Sequence, residues 1–225
     1  IPSTVQGASN ATIQASNTFG TATYTISFRV VAAPSISYSG PYNLIRNQVA
    51  SAISPAYSGG YSNTLSISPS LPSGLSFNTS TAVVSGTPSI SSVATVNTVT
   101  ATSAATDNGP AKVATANFTL TVGTPPSSLS YTGPLLLPLN AGMNSVSPSI
   151  TTGSGLVTYS ATGLPAGVHI DPATGVLYGT PTALQSASNA TITASSVFGS
   201  TQTTVSIAVG NAPSNLLYAS ANNSF

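Results

Sequence analysis

LPSGLSFNTSTAVVSGTP, at residues 71–88, recurs as LPAGVHIDPATGVLYGTP at residues 164–181, and this repetition decides the fold. The two stretches lie 93 residues apart and share an LPxG start, matching apolar positions and a GTP end. The same spacing relates SYSGP (37–41) to SYTGP (130–134) upstream. Self-similarity at one fixed spacing predicts tandem copies of a single structural unit.

A third copy is divided between the two ends of the sequence. Residues 8–31 match residues 187–210, and the stretch 212–220 is similar to the start of the complete units. One complete unit also carries an insertion near Ala105–Ala111, as a surface turn tolerates. We therefore divide the chain into the C-terminal half of a split repeat, two complete repeats (called repeat 1 and repeat 2) and the first strand of a further repeat or donor strand: 1–33, 34–123, 124–210 and 211–225.

Each repeat has the pattern of antiparallel β-structure. Phe118, Leu120 and Val122 alternate with Thr119 and Thr121, which places apolar side chains on one face of a strand and hydroxyls on the other. About 90 residues with short strands and frequent Gly, Pro and Asn turns is typical of a seven-stranded sandwich. The sequence predicts an all-β chain of tandem Ig-like β-sandwich domains.

The pattern LPxG(L/V)x(F/I)(N/D), followed by (V/L)xGTP and a final FTLTV-like strand, resembles the putative-Ig, cadherin-like repeats of bacterial surface proteins. The resemblance covers nearly the whole chain. It implies an extracellular or cell-surface location in adhesins, fibres or appendages, where such modules serve as spacers. Some relatives bind calcium between domains, but this chain lacks the acidic residues that such sites use.

Charge is almost absent, since the 225 residues include three Lys or Arg and two Asp or Glu. Three scattered cations cannot neutralise a phosphate backbone, so a nucleic-acid partner is excluded. Cys is absent, which excludes disulfides and thiolate metal sites. The longest aliphatic run, Leu135 to Leu137, is too short to span a membrane. With so few acids and bases we expect no enzyme activity, no catalytic residues, no metal and no cofactor.

His169 and Asp171 are the residues closest to a candidate catalytic or metal pair. Two residues apart on a strand, they share a face. The aligned residues of repeat 1 are Ser76 and Asn78, so this pair is not part of the repeated unit. We interpret Asp171, like Asn78, as the first residue of an Asx turn.

Tyrosines offer a candidate for sugar stacking. Tyr38, Tyr131 and Tyr218 recur at one repeat position, which indicates a structural role in the sandwich. Tyr42, Tyr57 and Tyr61 are less regular and are the better candidates for an exposed contact, although packing of loops is the stronger interpretation.

Five Asn residues lie in N-x-S/T sequons and are candidate glycosylation sites: Asn10, Asn78, Asn117, Asn189 and Asn222. Attached sugars would keep a surface without charge soluble.

An incomplete sandwich at each end exposes unpaired backbone groups, which natural proteins do not leave bare. Strand addition of 211–225 to residues 1–33 of a neighbour would repair both ends and propagate into a filament. By alignment, the joined unit would lack the equivalents of residues 139–179. The sequence therefore predicts either a polymer joint that makes the chain its own partner, or a segment of a longer array.

The first prediction is a structural subunit of an extracellular filament, assembled head to tail. One alternative is a stalk segment of a large repeat adhesin, whose partners would include glycans or a host surface. The other alternative is an accessory β-sandwich of a secreted polysaccharide-active enzyme.

Overall fold

A computed structural model describes residues 6–60, 63–105 and 110–211. The chain divides into two compact units, Ile1–Val122 and Gly123–Phe225. The described residues form strands and turns without a helix, which confirms the all-β prediction. The strands are β1 Gln6–Asn17, β2 Gly20–Val30, β3 Ser35–Ser37, β4 Tyr42–Ile45, β5 Ala50–Ile53, β6 Ala56–Ser58, β7 Thr64–Ser68, β8 Leu75–Phe77, β9 Val84–Gly86, β10 Ser92–Thr102, β11 Val113–Gly123, β12 Ser127–Ser130, β13 Leu135–Pro138, β14 Ser149–Thr151, β15 Thr158–Thr162, β16 Val168–Ile170, β17 Leu177–Gly179, β18 Gln185–Ser196 and β19 Gly199–Gly210.

Repeat 1 is a β-sandwich whose larger sheet has the strand order β4-β11-β10-β7. The remaining strands form the three-stranded sheet β5-β9-β8 and the ribbon β3-β6. Side chains from these sheets meet in one buried cluster, made by Ile36, Ile53, Leu65, Ala82, Val84, Val99, Ala101, Phe118 and Leu120. The alternation seen in the sequence thus marks the inner face of each strand.

Repeat 2 has the same plan, with a larger sheet in the order β13-β19-β18-β15. Its buried cluster consists of Leu129, Val157, Tyr159, Leu177, Ala190, Ile192, Ala194, Val205 and Ile207. One pairing differs from the antiparallel expectation, because β13 runs parallel to β19.

The described strands outnumber the seven expected for each repeat. In repeat 1 the SYSGP motif separates β3, which pairs with β6, from β4, which joins β11 in the other sheet. Pro41 lies in this break, where it removes a backbone donor from the ladder. SYTGP separates β12 from β13 in the same way. The motif therefore moves the first strand of each repeat from one sheet to the other.

Candidate functional site: the exposed face of the N-terminal hairpin

Strands β1 and β2 form a two-stranded antiparallel sheet at the start of the chain. Ala11 pairs with Ile26, and Ile13 pairs with Tyr24. Since side chains alternate across a strand, the apolar members share one side of the hairpin. We call this side the hairpin face, and it consists of Ala11, Ile13, Ala15, Tyr24, Ile26 and Phe28.

The hairpin repeats the geometry of β18 and β19 in repeat 2. With a shift of 179 residues, the pair Ala11–Ile26 becomes Ala190–Val205. Even the irregularity in the ladder is shared, since it falls between Gln6 and Ser9 in one hairpin and between Gln185 and Ser188 in the other. β1 and β2 are therefore built as the last two strands of the same sandwich.

The two hairpins differ in what covers them. In repeat 2, the side chains of Ile192 and Ile207 are fully buried and Val205 is 3% exposed. The residues of the hairpin face that align with them are exposed by 55% (Ile13), 39% (Phe28) and 41% (Ile26), and Tyr24 beside them is 71% exposed. A contiguous apolar face of this kind marks an interaction site in a folded protein.

The opposite side of the hairpin is polar, with hydroxyl and amide side chains and one charged residue, Arg29. The Ser27 hydroxyl donates to Asn10 Oδ1 at 2.6 Å, and the Thr12 and Thr25 hydroxyls lie 3.3 Å apart. Hydroxyl pairs across strands support the hairpin without adding charge. The hairpin thus has one side that suits water and one that suits an apolar partner.

The turn between β1 and β2 carries an aromatic residue that the sequence analysis did not single out. Asn17 Oδ1 accepts hydrogen bonds from the backbone N–H of Phe19 at 2.8 Å and of Gly20 at 3.1 Å. This leaves the Phe19 side chain 96% exposed, whereas the aligned Phe198 is 4% exposed. The alignment of the two residues was the signal that could have identified it.

His169 and Asp171 do not form a site. Asp171 Oδ1 accepts from the backbone N–H groups of Ala173 at 2.8 Å and Thr174 at 3.0 Å, which confirms the Asx turn. These bonds, with that of Thr174 the stronger influence, hold the pKa of Asp171 below its usual value. His169 is exposed and lies beside Tyr178, with the ring centroids 5.8 Å apart. Within the described ranges, no three His, Cys, Asp or Glu side chains come together as metal ligands would.

The recurring tyrosines Tyr38 and Tyr131 make hydrogen bonds to distant backbone carbonyls within their own repeats. The hydroxyl of Tyr38 donates to the carbonyl of Ala82, and that of Tyr131 donates to the carbonyl of Gly175. Burial raises the pKa of Tyr38 and Tyr131 to about 12 each, helped by a neighbouring tyrosine. The structural interpretation of these two positions is confirmed.

The candidate contact tyrosines follow the packing interpretation. Tyr42 and Tyr57 are half-buried against the core of repeat 1, and the Tyr42 ring meets Phe118 edge-on at 5.7 Å between centroids. Tyr61 and Tyr218 lie outside the described residues.

Four of the five sequon residues lie in the described part of the chain, and all four are exposed: Asn10, Asn78, Asn117 and Asn189. Asn78 Oδ1 accepts from the backbone N–H groups of Ser80 and Thr81. Its amide nitrogen is then the free end of the side chain. Asn222 lies outside the described residues. Glycosylation of these positions stays a prediction.

No helix in the described residues is long and apolar enough to cross a membrane.

Solved structures with a similar fold are tandem immunoglobulin domains. Drosophila OTK, extracellular domains 3–5, aligns with a TM-score of 0.57 at 12% identity over 91% of this chain and 72% of that one. Sidekick-1 immunoglobulin domains 1–5 align with a TM-score of 0.55 at 14% identity, over 92% of this chain and 48% of that one. At such identities the similarity establishes the fold alone. No curated protein sequence matches the chain.

One family model matches most of the sequence. It is described as "Putative Ig domain", and it matches residues 30–123 and again residues 126–210. Two consecutive matches of this length agree with the two sandwiches and confirm the resemblance drawn from the LPxG and GTP motifs. The chain belongs to this Ig-like domain family, with two tandem copies of the domain.

Proposed function

We propose that this protein is a structural, non-catalytic subunit of an extracellular filament or cell-surface appendage, joined head to tail. One observation carries the proposal: the hairpin face is exposed, while its counterpart in repeat 2 is buried. The same sequence pattern thus lies in a finished core at one place and on an open surface at another. A second copy of the chain is the partner that would cover that surface.

The outer edge of β2 indicates how the second copy would bind. In both repeats the strand that corresponds to β2 is flanked on its outer edge, β11 by β4 and β19 by β13. Among the described residues, the two-stranded sheet β1-β2 has no such neighbour. Residues 211–225 repeat the sequence of β12 and β13: Leu216 and Tyr218 align with Leu129 and Tyr131, and residues 222–225 align with β13. Pairing of residues 222–225 with β2 would supply ladder hydrogen bonds, and Leu216 and Tyr218 would supply apolar side chains to the hairpin face.

The free energy gained by burying the hairpin face together with Phe19 decides whether apolar contact alone could hold two copies together. Covering the exposed parts of Ile13, Phe19, Tyr24, Ile26 and Phe28 would yield roughly 5–9 kcal/mol, at about 1.5–3 kcal/mol for a fully buried side chain. Association itself costs about 4–15 kcal/mol. Apolar burial therefore offsets the cost of association with little left over, and strand pairing has to supply the rest. The added segment is then essential.

Deletion of residues 211–225 tests the proposal. The intact chain is expected to form uniform filaments in negative-stain microscopy and to sediment faster as its concentration rises. The deleted chain should keep the melting behaviour of both repeats and stay monomeric. Filaments of undiminished length from the deleted chain would refute the joint, and intact chains that remain monomeric rods would refute the filament.

A stalk segment of a cell-surface adhesin is the second candidate. The similarity of fold to the extracellular domains of Drosophila OTK and to Sidekick-1 favours it, because those proteins also place Ig domains in series. In that role the hairpin face would be covered by the remainder of its own repeat in a longer array. The exposed sequons would then carry glycans, or a loop would bind glycan or host surface. Binding of monomers to a glycan array, without filaments, would favour this candidate.

A further inference from the structure

Phe198, the aromatic residue in the β18–β19 turn, packs directly on a glycine of the chain. A Cβ atom added to Gly123 would lie 2.6 Å from two ring atoms of Phe198 and 2.7 Å from Ser154 Cβ. Real Cβ atoms do not approach other atoms so closely. The Phe198 ring therefore rests directly on the backbone at the end of β11, and only glycine at position 123 permits this.

The N-terminal hairpin carries the corresponding aromatic residue, Phe19, in an exposed position. Phe19 aligns with Phe198, and Gly20 in the following position aligns with Gly199. The side chain of Phe19 is 96% exposed, although the Asn17 side chain fixes the turn that carries it. The hairpin thus holds the Phe19 ring out toward solvent on a turn that Asn17 fixes.

Gly210, at the end of repeat 2, corresponds to Gly123, and no aromatic ring of the described residues packs on it. Gly210 closes β19 as Gly123 closes β11, after the matching stretches IAV and LTV. Among the described residues, no atom lies within 4 Å of a Cβ atom added to Gly210. The residues that follow, from Asn211 to Tyr218, repeat the sequence 124–131. Gly210 therefore corresponds to Gly123, and the described part of the chain leaves open the space above it that the Phe198 ring covers at Gly123.

We propose that Phe19 of one copy packs on Gly210 of a second copy, reproducing between subunits the contact of Phe198 with Gly123. The inference rests on the proposed head-to-tail function and identifies the contact that sets its register. The ring and the glycine lie at opposite ends of the sequence, so the contact is heterologous and propagates rather than closing a dimer. Because both partners are uncharged, the contact should be insensitive to salt.

Substitution of the glycine provides the sharpest test, carried out on the full chain. In Gly210→Val, the added side chain enters open space in the monomer but would collide with the ring of Phe19 in the joint. Thermal unfolding should match the wild type, while the concentration at half-assembly should rise at least tenfold. Gly123→Val is the matched control, and it should unfold at lower temperature because its side chain collides with Phe198 inside the fold.

Loss of the ring should have a similar effect from the other side. Phe19→Ser removes an exposed side chain, so the monomer should be unaffected, and the concentration at half-assembly should rise by about 10- to 100-fold for a buried phenylalanine. Val93→Ser removes another exposed apolar side chain, 83% accessible, and should leave assembly unchanged.

A mixing experiment distinguishes a directional contact from general damage. Phe19→Ser keeps an intact Gly210, and Gly210→Val keeps an intact Phe19. Each variant alone should be monomeric, whereas an equimolar mixture should give dimers that do not elongate, observed by sedimentation velocity. Such dimers would support the inference, and monomers in the mixture would overturn it.

The remaining outcomes separate this inference from the function on which it rests. If both variants assemble at the wild-type concentration while deletion of 211–225 abolishes filaments, the Phe19–Gly210 contact is wrong and the strand joint stands. If the wild-type chain stays monomeric at every concentration, both are overturned.

Discussion

At two neighbouring core positions, repeat 1 has Leu65 and Ala82 where repeat 2 has Tyr159 and Gly175. This difference predicts that substitutions at the two positions are strongly coupled in their effect on stability. Leu65 pairs with Ala101 in repeat 1, and Tyr159 pairs with the equivalent Ala194 in repeat 2. Opposite these residues, the carbonyl that accepts from the recurring tyrosine belongs to Ala82 in repeat 1. In repeat 2 it belongs to a glycine at position 175. The larger aromatic residue thus accompanies the smaller backbone residue.

Gly175→Ala should destabilise repeat 2 by two separable effects. At its φ of 73° a side chain costs about 1–2 kcal/mol in the left-handed region. The new Cβ would also lie 2.7 Å from the ring of Tyr159, and such overpacking costs about 1–3 kcal/mol. In a Tyr159→Leu background the ring is gone, so the first cost should remain together with a tight contact to Pro148 Cγ, 3.0 Å from the new Cβ. We expect a coupling free energy of about 1–3 kcal/mol in favour of the double variant, which recreates the pair found in repeat 1.

The coupling is measurable with a double-mutant cycle on the full chain. Urea unfolding followed by circular dichroism gives the total change. Hydrogen exchange of peptides from β18 and β19 assigns it to repeat 2. Ala82→Gly in repeat 1 is the control, where relief of the strain at a φ of 58° and loss of a buried methyl group should nearly cancel. Additive effects of the two single substitutions would refute the coupling of these positions. Changes in hydrogen exchange confined to repeat 1 would refute it as well.

Two further predictions concern pH. Asp171 has a lowered pKa in the folded chain, so the stability it adds is present above pH 3.8 and is lost as the pH falls through the lower folded value; Asp171→Asn, which copies Asn78 of repeat 1, should keep the turn and remove this dependence in acid melts. The folded pKa values of Tyr38 and Tyr131 are raised to about 12, so the stability they add is present below pH 10 and lost between about pH 10 and 12; Tyr→Phe at both positions should flatten alkaline melts in that window, and an unchanged pH profile would contradict this assignment.

The repeat pattern was sufficient to predict the fold, because turn glycines and alternating apolar residues act locally. Asn97 shows where this reasoning ends. It interrupts the apolar alternation of β10, yet it is 1% exposed, and its Nδ2 donates to the carbonyl of Pro69 at 3.1 Å. At the aligned position repeat 2 has Ala190, against which the backbone turn at Gly163 packs closely. The turn of repeat 1 is one residue longer, and a side chain fills the distance. Such compensation between distant segments leaves no periodic signal in either one.

The candidate site was predictable only in part for a related reason. Alternation identifies which side of a strand is apolar, and it does so equally well for Ile13 and Ile192. Whether that side is covered depends on the segments that face it, which lie elsewhere in the chain or in another molecule. The split repeat predicted that this side would be open, and the structure gives the extent of its exposure, 55% at Ile13 against 0% at Ile192.

The side chains of the hairpin face also bear on the partner that covers it. Phe28 stands where repeat 2 has Ile207, and Tyr24 stands where it has Thr203, so the exposed face is bulkier than its buried counterpart. Protein cores keep close packing, so a bulkier face needs a partner that occupies less of the space above it. The proposed joint meets this need, because a unit completed by residues 211–225 would lack the equivalents of 139–179. A complete repeat-2-like half above the same face would instead be overpacked by these aromatic rings. Repeat 1 meets the same need with a complete set of strands, because Phe118, which aligns with Val205, is 4% exposed in its core. The size of the exposed side chains therefore predicts smaller residues on the covering surface, in a joint between copies and in an array alike.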